Sequence, residues 1–333
     1  MRVLVTGGTG FLGSHVVERL VADGHDVTCL VRKTSDTKFL RSLADRTGKV
    51  ELRLGAVDAP ETLPDAVHDA DAVVHCAGLI KARSLGDFER VHKDGTVAVA
   101  TAARDHAKNL KRFVHVSTAG VMGPSQPGSP HVESVEPNPT TPYSTSKLSG
   151  ERALLAMKDE LPIVVLRPPA IYGPRDDEVL AFFQMVRRTR MAFRMGSSSQ
   201  SQSMIFVGDC VDAIVRAIDA AVPSGAMYLL DDGEVHTFEE LATSIARAYG
   251  IRLLATPSIP SPLVYAAAWG SETFGRVTNR VMIFTRDKLP ELLMEHFSID
   301  SSAARRDLGW EPKTKFVDGA RLTAGWYREN RWD

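Results

Sequence analysis

The stretch RVLVTGGTGFLG, residues Arg2–Gly13, decides the fold. A run of apolar and β-branched residues meets glycines spaced three apart, and a helical pattern follows. Such glycines permit a sharp turn, let a phosphate approach the backbone and let the helix pack on the strand. The free N–H groups at the start of the helix then attract the phosphate. The stretch therefore predicts a dinucleotide site, with cofactor contacts at Gly7, Thr9, Gly10, Phe11 and Leu12.

Short apolar segments alternate with segments of helical period through the first half of the chain. The strands are predicted at Arg2–Thr6, Asp26–Val31, Val50–Leu54, Ala72–His75, Phe113–Ser117 and Ile163–Arg167. The helices between them are predicted at Phe11–Ala22, Lys38–Ala44, Glu61–Val67, Asp87–His106 and Tyr143–Lys158. This pattern predicts an α/β fold with a doubly wound parallel sheet covered on both faces, and with ligands beyond the carboxyl ends of the strands.

The alternation of strand and helix patterns ends after Arg167. Beyond it, Pro-, Gly- and Ser-rich segments at Ser197–Ser203 and Pro257–Pro262 interrupt shorter predicted elements. Further helices are predicted at Asp176–Arg190, Asp209–Ala221, Phe238–Tyr249 and Val264–Phe274. We expect residues 1–170 to form the cofactor-binding domain. Residues 171–333 are expected to form a smaller, interleaved and mainly substrate-binding region that returns in part to the first domain.

The composition excludes several classes of partner. The chain carries 40 Lys and Arg against 41 Asp and Glu, so it lacks the basic excess expected of a protein that binds nucleic acid or an anionic membrane. Its three cysteines lie far apart, and no His/Cys spacing indicates a metal site. The apolar run at the N-terminus is too short for a signal peptide, and no segment approaches the ~20 apolar residues of a membrane span. We therefore expect a cytoplasmic protein.

The end of the second predicted strand indicates which cofactor binds. An acidic residue at this place would bind the ribose 2′-OH and repel a 2′-phosphate, but the sequence has Val31 followed by Arg32 and Lys33. These two cations favour NADP(H) over NAD(H). The alternative is that they belong to an ordinary solvated basic turn.

Tyr143 and Lys147 lie four residues apart at the start of a predicted helix and so share one face. A phenol has a pKa near ~10, and a neighbouring ammonium is expected to lower it toward the range of acid–base catalysis. Thr118 follows the preceding strand, where its hydroxyl can polarise the same substrate oxygen. We expect Thr118, Tyr143 and Lys147 to be the catalytic residues. Tyr143 and Lys147 are also expected to contact the cofactor, Lys147 at the nicotinamide ribose.

With these motifs in place, the chain resembles the extended short-chain dehydrogenase/reductases, the superfamily that also holds NAD-dependent epimerases and dehydratases. The matching segments are TGGTGFLG (6–13), VVHCAG (73–78), HVSTAGVMG (115–123), YSTSK (143–147), RPPAIYGP (167–174), FVGDCVDAI (206–214) and ARRDLGWEPKT (304–314). The resemblance implies a Rossmann fold, hydride transfer to or from nicotinamide, Tyr143 as general acid/base with Lys147 as its partner, and Thr118 as hydroxyl donor. It also implies that Ala77, Pro168 and Ile171 line the cofactor, and that the protein is a homodimer.

Two positions depart from the family pattern. Ala56 stands where many members have Asp, so the adenine contact is expected from Asp58 or from the backbone. His92 stands where the family often has Asn. Its imidazole can serve the same structural hydrogen bond, or it can be a surface residue.

Several features bear on the substrate. Ala119 and Gly120, rather than acidic residues, follow Thr118, which counts against dehydratase chemistry. Gln202 replaces the arginine with which nucleotide-sugar enzymes of the family hold a diphosphate. Other cations are present at Arg187, Arg188, Arg190 and Arg194, but a run of arginines on a helix is more often a solvated face.

The C-terminal half is rich in large apolar residues, namely Leu263, Val264, Tyr265, Trp269, Phe274, Met282, Ile283 and Phe284. They can line an apolar pocket, or they can be ordinary core or a dimer contact. Together with Arg32, this pattern resembles the 3β-hydroxysteroid dehydrogenase and dihydroflavonol reductase branches.

The leading hypothesis is an NAD(P)-dependent alcohol/ketone oxidoreductase that acts on an apolar, ring-containing small molecule. One alternative is a nucleotide-sugar epimerase or reductase. A second alternative is a non-catalytic NADP-sensing regulator.

Overall fold

The computed structural model describes residues 1–82, 84–197, 199–278 and 285–332. The strands are β1 (Arg2–Thr6), β2 (Asp26–Val31), β3 (Val50–Leu54), β4 (Ala72–His75), β5 (Arg112–Val116), β6 (Ile163–Arg167), β7 (Ala170–Tyr172), β8 (Arg194–Met195), β9 (Ser201–Phe206), β10 (Ala226–Leu229), β11 (Val235–Thr237), β12 (Ser258–Ile259) and β13 (His296–Phe297).

The helices are α1 (Phe11–Ala22), α2 (Lys38–Thr47), α3 (Leu63–Val67), α4 (Leu85–Glu89), α5 (Gly95–His106), α6 (Pro142–Leu155), α7 (Leu180–Thr189), α8 (Val207–Asp219), α9 (Phe238–Ala248), α10 (Ser261–Thr278), α11 (Leu289–Leu292), α12 (Ser302–Leu308) and α13 (Phe316–Glu329). Short 3₁₀ or π turns occur at Pro60–Thr62, Arg90–Asp94, Ala119–Met122 and Arg286–Lys288. No helix in the described ranges is long and apolar enough to cross a membrane.

A parallel sheet forms the centre of the molecule. Its strand order across the described residues is β10-β6-β5-β4-β1-β2-β3. Alternate residues point to opposite faces, as the twofold period of a strand requires. Val3 and Val5 pack with α1, α2 and α8 on one face, whereas Leu4 packs with α3, α5 and α6 on the other. The predicted doubly wound α/β fold is confirmed.

The second half of the chain contributes to the main sheet through β10 and also builds a smaller lobe. In that lobe β9 pairs with β7, β11 and β13. The core of the lobe joins α7, α9 and α13 around Tyr172, Phe183 and Phe316. The Ser-rich segment Ser197–Ser203 was predicted to break structure, but its last three residues begin β9. The hydroxyl of buried Ser203 accepts a hydrogen bond from the Ile299 amide, so a small polar residue is satisfied inside this strand.

Some predicted bounds were wrong. The strand predicted at Phe113–Ser117 is Arg112–Val116, and the helix predicted from Asp176 begins only at Leu180. The helix predicted at Asp87–His106 is interrupted by the π turn Arg90–Asp94. This extra residue per turn alters which side chains face the core, and π turns of this kind often occur at functional sites.

The direction of the chain reverses at β1. From β1 it passes to β2 and β3 on one side, and later to β4, β5 and β6 on the other. In open α/β sheets such a reversal leaves a crevice beyond the carboxyl ends of the strands, where ligands bind. The loops that follow these strands therefore meet at one edge of the sheet.

Candidate active site

The glycine turn after β1 is shaped for close approach of its neighbours. Gly7 has a φ of +75°, and a Cβ there would lie 2.8 Å from the Ala77 nitrogen. A Cβ on Gly13 would overlap the Gly7 carbonyl oxygen. The turn can therefore be built only from glycines at these two positions, and it brings the loops after β1 and β4 together.

The N-terminus of α1 is suited to hold phosphate. Gly10 is the N-cap and provides no side chain to cap the helix, and the first turn contains no acidic residue. Thr9 and Gly10 are exposed, and Phe11 and Leu12 are half-buried behind them. Backbone N–H groups left without a cap in this way are the donors that a pyrophosphate needs. The residues present thus fit a dinucleotide.

The far end of the crevice carries two exposed cations. Arg32 and Lys33 follow β2 in a turn closed by a hydrogen bond from the Ser35 amide to the Arg32 carbonyl. In the described part of the chain neither side chain has an ion-pair partner within 4 Å. Asp58, in the loop after β3, is paired with Arg90 at 3.4 Å. That pairing leaves its carboxylate less free for adenine than the sequence suggested.

Ala77, Pro168 and Ile171 lie beyond β4 and around β6 and β7. The Ala77 amide donates to the Thr6 hydroxyl at 3.3 Å, and Pro168 accepts from the Ala119 amide at 2.7 Å. Ile171 is half-buried on β7 and packs against the core beside α1. These bonds tie the loops after β1, β4, β5 and β6 to one another.

Thr118, Tyr143 and Lys147 meet on the opposite side of this crevice. Tyr143 lies in the first turn of α6, which Thr141 caps through reciprocal hydrogen bonds with Ser144. One turn later, buried Lys147 donates from Nζ to the Val116 carbonyl at 2.6 Å. Thr118 accepts a hydrogen bond from the Gly120 amide at 3.1 Å, and its side chain also hydrogen-bonds the Tyr143 hydroxyl. The three predicted side chains thus lie close together.

The expected lowering of the Tyr143 pKa is wrong for this structure. Burial raises the pKa of the Tyr143 phenol, the charges of Glu291 and Glu178 raise it further, and only the Thr118 hydrogen bond opposes them. The physical reason is that desolvation disfavours the phenolate, while the Lys147 ammonium is directed at a carbonyl. Burial also lowers the pKa of Lys147 to about 8.

His92 links the cofactor loop to the catalytic helix. Its Nε2 accepts the Leu79 amide at 2.9 Å, so Nδ1 carries the proton and donates to the Ser146 hydroxyl at 2.8 Å. Ser146 in turn donates to the Tyr143 carbonyl. His92 is 1% exposed, and burial lowers its pKa to about 3. The surface alternative is therefore wrong, and the structural hydrogen bond is present.

A second set of charged side chains, whose two glutamates raise the pKa of the Tyr143 phenol, was missed from the sequence. Lys81 follows β4, and Glu178 follows β7. Lys288 immediately precedes α11, and Glu291 lies within it. Glu178 lies 3.4 Å from Lys81 and 3.7 Å from Lys288. No local motif links three such distant segments; the acidic run Asp176–Glu178 after the sixth strand was the one available signal.

Helix α10 stands beside this charged set. Val264 and Ala268 hold it against Leu289, the first residue of α11. Its other side leaves Leu263, Tyr265, Trp269 and Phe274 exposed by 49–61%. These residues are therefore not core, although the sequence left that alternative open. Met282, Ile283 and Phe284 lie outside the described residues.

The arginines considered as ligands for a substrate diphosphate either contact other parts of the protein or are only partly suited to bind a phosphate. Arg187 lies over the Tyr249 ring, and Arg190 donates to the Arg252 carbonyl, both at the end of α9. Arg188 is exposed, as is Gln202 on β9. Arg194 is half-buried, and its Nε has no hydrogen-bond partner among the described residues. Within the same residues, no cluster of three His, Cys, Asp or Glu side chains has the geometry for a metal ion.

Comparison with known proteins adds to this geometry. The NAD dependent epimerase/dehydratase family matches residues 3–230. A ceramide reductase of Caulobacter vibrioides is 34% identical over 99% of this chain and 95% of its own length. A UDP-glucose 4-epimerase of Mycolicibacterium smegmatis is 31% identical over 98% of this chain and 99% of its own. The dTDP-glucose 4,6-dehydratase of Streptomyces venezuelae, solved with NAD bound, has the same fold with a TM-score of 0.81 at 23% identity, covering 100% of this chain and 98% of that one.

Proposed function

The chain belongs to the NAD dependent epimerase/dehydratase family and is an NAD-dependent enzyme, and we propose that it reduces a ketone on an apolar small molecule. The observation that carries the proposal is the meeting of Thr118 and Lys147 with Tyr143, which lies in the first turn of α6. The direction of the pKa shift of Tyr143 agrees with this role. The raised pKa favours the neutral phenol, which is the form that donates a proton to a ketone as it becomes an alcohol. An epimerase must first remove a proton from an alcohol, for which a phenolate is the useful form.

Each residue then has a defined task. The reduced nicotinamide cofactor, when bound, supplies the hydride. Tyr143 and Thr118 hydrogen-bond the carbonyl oxygen, which polarises it, and Tyr143 gives up its proton as negative charge develops there. Lys147 supplies a positive charge beside the reacting centre and would hold the nicotinamide ribose when the cofactor is bound. His92 positions Tyr143 by tying α6 to the loop after β4.

Two observations support an apolar substrate. Helix α10 leaves four large apolar residues exposed, and it packs against α11, which carries Glu291 of the charged set. The relative with 34% identity is named for ceramide, a lipid. The sequence alone favoured a ring-containing substrate; we widen this class to include long-chain ketones.

We also propose that NADPH is the preferred cofactor. The support is that Arg32 and Lys33 are exposed at the end of β2, where a 2′-phosphate would lie, and that Val31 rather than an acidic residue ends the strand. A 2′-phosphate placed there gains charge-assisted hydrogen bonds.

A nucleotide-sugar epimerase is the second candidate. It is favoured by the 31% identical relative and by Arg194, whose half-buried Nε has no partner among the described residues. Against it stand Gln202 in place of the usual arginine and the contacts that hold Arg187 and Arg190 at the end of α9.

A substrate panel tests the function. Purified protein is given NADPH and a 3-keto ceramide, a 3-ketosteroid, a dihydroflavonol or a UDP-sugar, and NADPH oxidation is followed by absorbance while UDP-sugar products are separated by chromatography. We expect oxidation with one or more of the apolar ketones, and its loss in Tyr143→Phe by about 10²–10⁴-fold with cofactor binding retained. Epimerisation of a UDP-sugar without ketone reduction would contradict the proposal. Full biological activity of Tyr143→Phe would favour the NADP-sensing alternative.

Cofactor preference is tested by nicotinamide fluorescence. We expect tighter binding of NADPH than of NADH, and a smaller difference in Arg32→Ala. Lys38→Ala is the matched control, because Lys38 is an exposed cation at the start of the next helix. Equal affinities of the unaltered protein for NADPH and NADH would contradict the proposed preference for NADPH.

A further inference from the structure

We propose that Glu178 and Glu291 select ketones that carry an uncharged hydrogen-bond donor, an amide N–H or a hydroxyl, within two or three bonds of the reacting carbonyl. This inference rests on the proposed reductase function and narrows its substrate class. It concerns the charged set formed by Lys81, Glu178, Lys288 and Glu291.

The set brings three separate segments of the chain together. Lys81 comes from the loop after β4 and Glu178 from the loop after β7. Lys288 and Glu291 come from the C-terminal segment that α10 supports. Glu178 lies between the two lysines, with its Oε1 3.4 Å from Lys81 and its Oε2 3.7 Å from Lys288. The carboxylate is thus held in place by both walls of the crevice.

Glu178 retains unused capacity to accept hydrogen bonds. Its Oε1 is buried and accepts no hydrogen bond from the described residues, although the Lys81 ammonium forms an ion pair with it at 3.4 Å. A buried acceptor without a partner costs free energy, so a ligand that donates to it gains more than one that cannot. The oxygen therefore favours a donor on the substrate.

Glu291 adds a second acceptor, and this one is exposed to solvent. The residue keeps contact with solvent, yet the surrounding protein raises its pKa, with Glu178 raising it further and Lys288 opposing. The set adjoins Tyr143 through the loop after β4: the Leu79 amide, two residues before Lys81, donates to His92, whose ring centre lies 5.5 Å from that of Tyr143. The charges of Glu178 and Glu291 accordingly raise the pKa of the Tyr143 phenol. No ion-pair partner of Glu291 lies within 4 Å in the described ranges.

The charge of the set defines which headgroup fits. The two lysines and two glutamates carry no net charge when ionised, and both lysines are directed at Glu178. A substrate with a carboxylate or diphosphate next to its ketone would meet two carboxylates with no free cation in the set. A neutral headgroup with N–H or O–H donors satisfies the acceptors without this repulsion.

The test compares matched ketones. One pair is a long-chain β-keto amide with a secondary N–H and its N-methyl analogue. The other is an α-hydroxyketone and its methyl ether. We expect kcat/KM to be about 10- to 100-fold higher for the N–H and O–H members, as for a hydrogen bond to a charged acceptor. The preference should fall to within about threefold in Glu178→Ala and should weaken in Glu291→Gln. Glu61→Gln, at an exposed carboxylate in the turn after β3, is the control and should retain it.

The outcomes separate this inference from the proposed function. Equal kcat/KM within both pairs, with turnover of all four ketones, overturns the inference and leaves the reductase intact. If no ketone is reduced, the reductase proposal fails. Calorimetric binding of the same pairs to the NADPH complex then decides the inference: tighter binding of the donor members supports it, and equal or absent binding overturns it.

Discussion

Burial sets the charge of the residues around Tyr143. The pKa of Lys147 is lowered to about 8 by burial, whereas the pKa of Tyr143 is raised above that of an ordinary phenol. As pH rises through about 8, Lys147 therefore loses its charge before Tyr143 loses its proton. We expect kcat/KM for ketone reduction to fall above about pH 8 for this reason.

Replacing Lys147 by arginine tests whether this fall in kcat/KM is caused by the loss of charge on Lys147. A guanidinium stays charged throughout the range, so Lys147→Arg should move the fall in kcat/KM to higher pH or abolish it. If the variant does not turn over, the pH dependence of NADPH binding gives the same comparison. A fall at the same pH in both proteins would assign it to another group.

The buried histidines make stability depend on pH. Burial lowers the pKa of His75 and His92 to about 3, and lowers that of His115 as well. An unfolded histidine has a pKa near ~6.5, so between about pH 6.5 and 3 the unfolded chain binds protons that the folded chain does not. Protonation then favours unfolding, and stability falls as pH is lowered through this window.

His92→Asn measures one part of this dependence. An amide can accept from Leu79 and donate to Ser146, so the fold should be kept while one titrating group is removed. We expect the slope of unfolding free energy between pH 7 and pH 5 to decrease by at most about 1.4 kcal/mol per pH unit. Urea unfolding at several pH values measures it, with His106→Asn, at an exposed histidine, as control. Identical slopes in wild type and His92→Asn would contradict the assignment.

Elements with a continuous apolar core were predictable, and short ones were not. β1, β2, β3, β4 and β6 have the predicted bounds because each is a run of four to six residues next to a clear turn, mostly apolar or, in β3, alternating between apolar and charged residues. The strands β7, β8, β12 and β13 are two or three residues long. They are ordered by their pairing partners, which lie far away in sequence, so no local periodicity marks them.

The residues of the candidate site likewise fall into those that could be predicted from the sequence and those that could not. Thr118, Tyr143 and Lys147 were predictable because each stands at a fixed place relative to a strong strand or helix. Lys81, Glu178, Lys288 and Glu291 were not, because their meeting depends on how three loops fold over the crevice. His92 was predicted as one of two alternatives, and its π turn decided between them.

The glycine turn and α1 form the element on which cofactor binding depends most directly. In Gly13→Ala the added methyl group would overlap the Gly7 carbonyl oxygen, so α1 must shift away from β1. We expect a loss of about 1–3 kcal/mol in stability and weaker binding of both cofactors. The measurements are thermal or urea unfolding and fluorescence titration of NADPH.

Gly325→Ala is the matched control for this prediction. Gly325 also lies inside a helix, but a Cβ there would meet no atom within 4 Å. The substitution should raise stability by up to about 1 kcal/mol through helix propensity and leave cofactor affinity unchanged. If Gly13→Ala behaved like Gly325→Ala, close packing of the turn would not be what limits this position.

At the scale of the whole molecule, the cofactor crevice and the proposed substrate region come from opposite halves of the chain. Residues 1–170 supply the glycine turn and the Tyr143 helix, and the later residues supply Glu178, α10 and α11. We therefore propose that residues 1–170 bind the cofactor and that residues 171–333 mainly bind the substrate. The homodimer expected from the family resemblance stays a prediction, to be tested by light scattering.

Helix α10 joins the apolar surface to the reacting centre. It is anchored by Val264 and Ala268, and the residues it exposes make up a broad apolar face. Soluble proteins rarely expose so many large apolar side chains on one helix unless the helix binds a ligand or a partner. If this face receives the apolar chain of the substrate, its residues contribute to affinity and not to folding.

Trp269→Ala separates these two contributions. Trp269 is 59% exposed, so its loss should change the unfolding free energy by no more than about 0.5 kcal/mol. In the unaltered protein kcat/KM should rise with chain length by up to about fourfold per buried methylene, as apolar burial predicts. This increment should shrink in Trp269→Ala and persist in Leu322→Ala, an exposed leucine on α13. The same increment in all three proteins would mean that the chain binds elsewhere, because removing an indole from its path must reduce the area that each methylene buries.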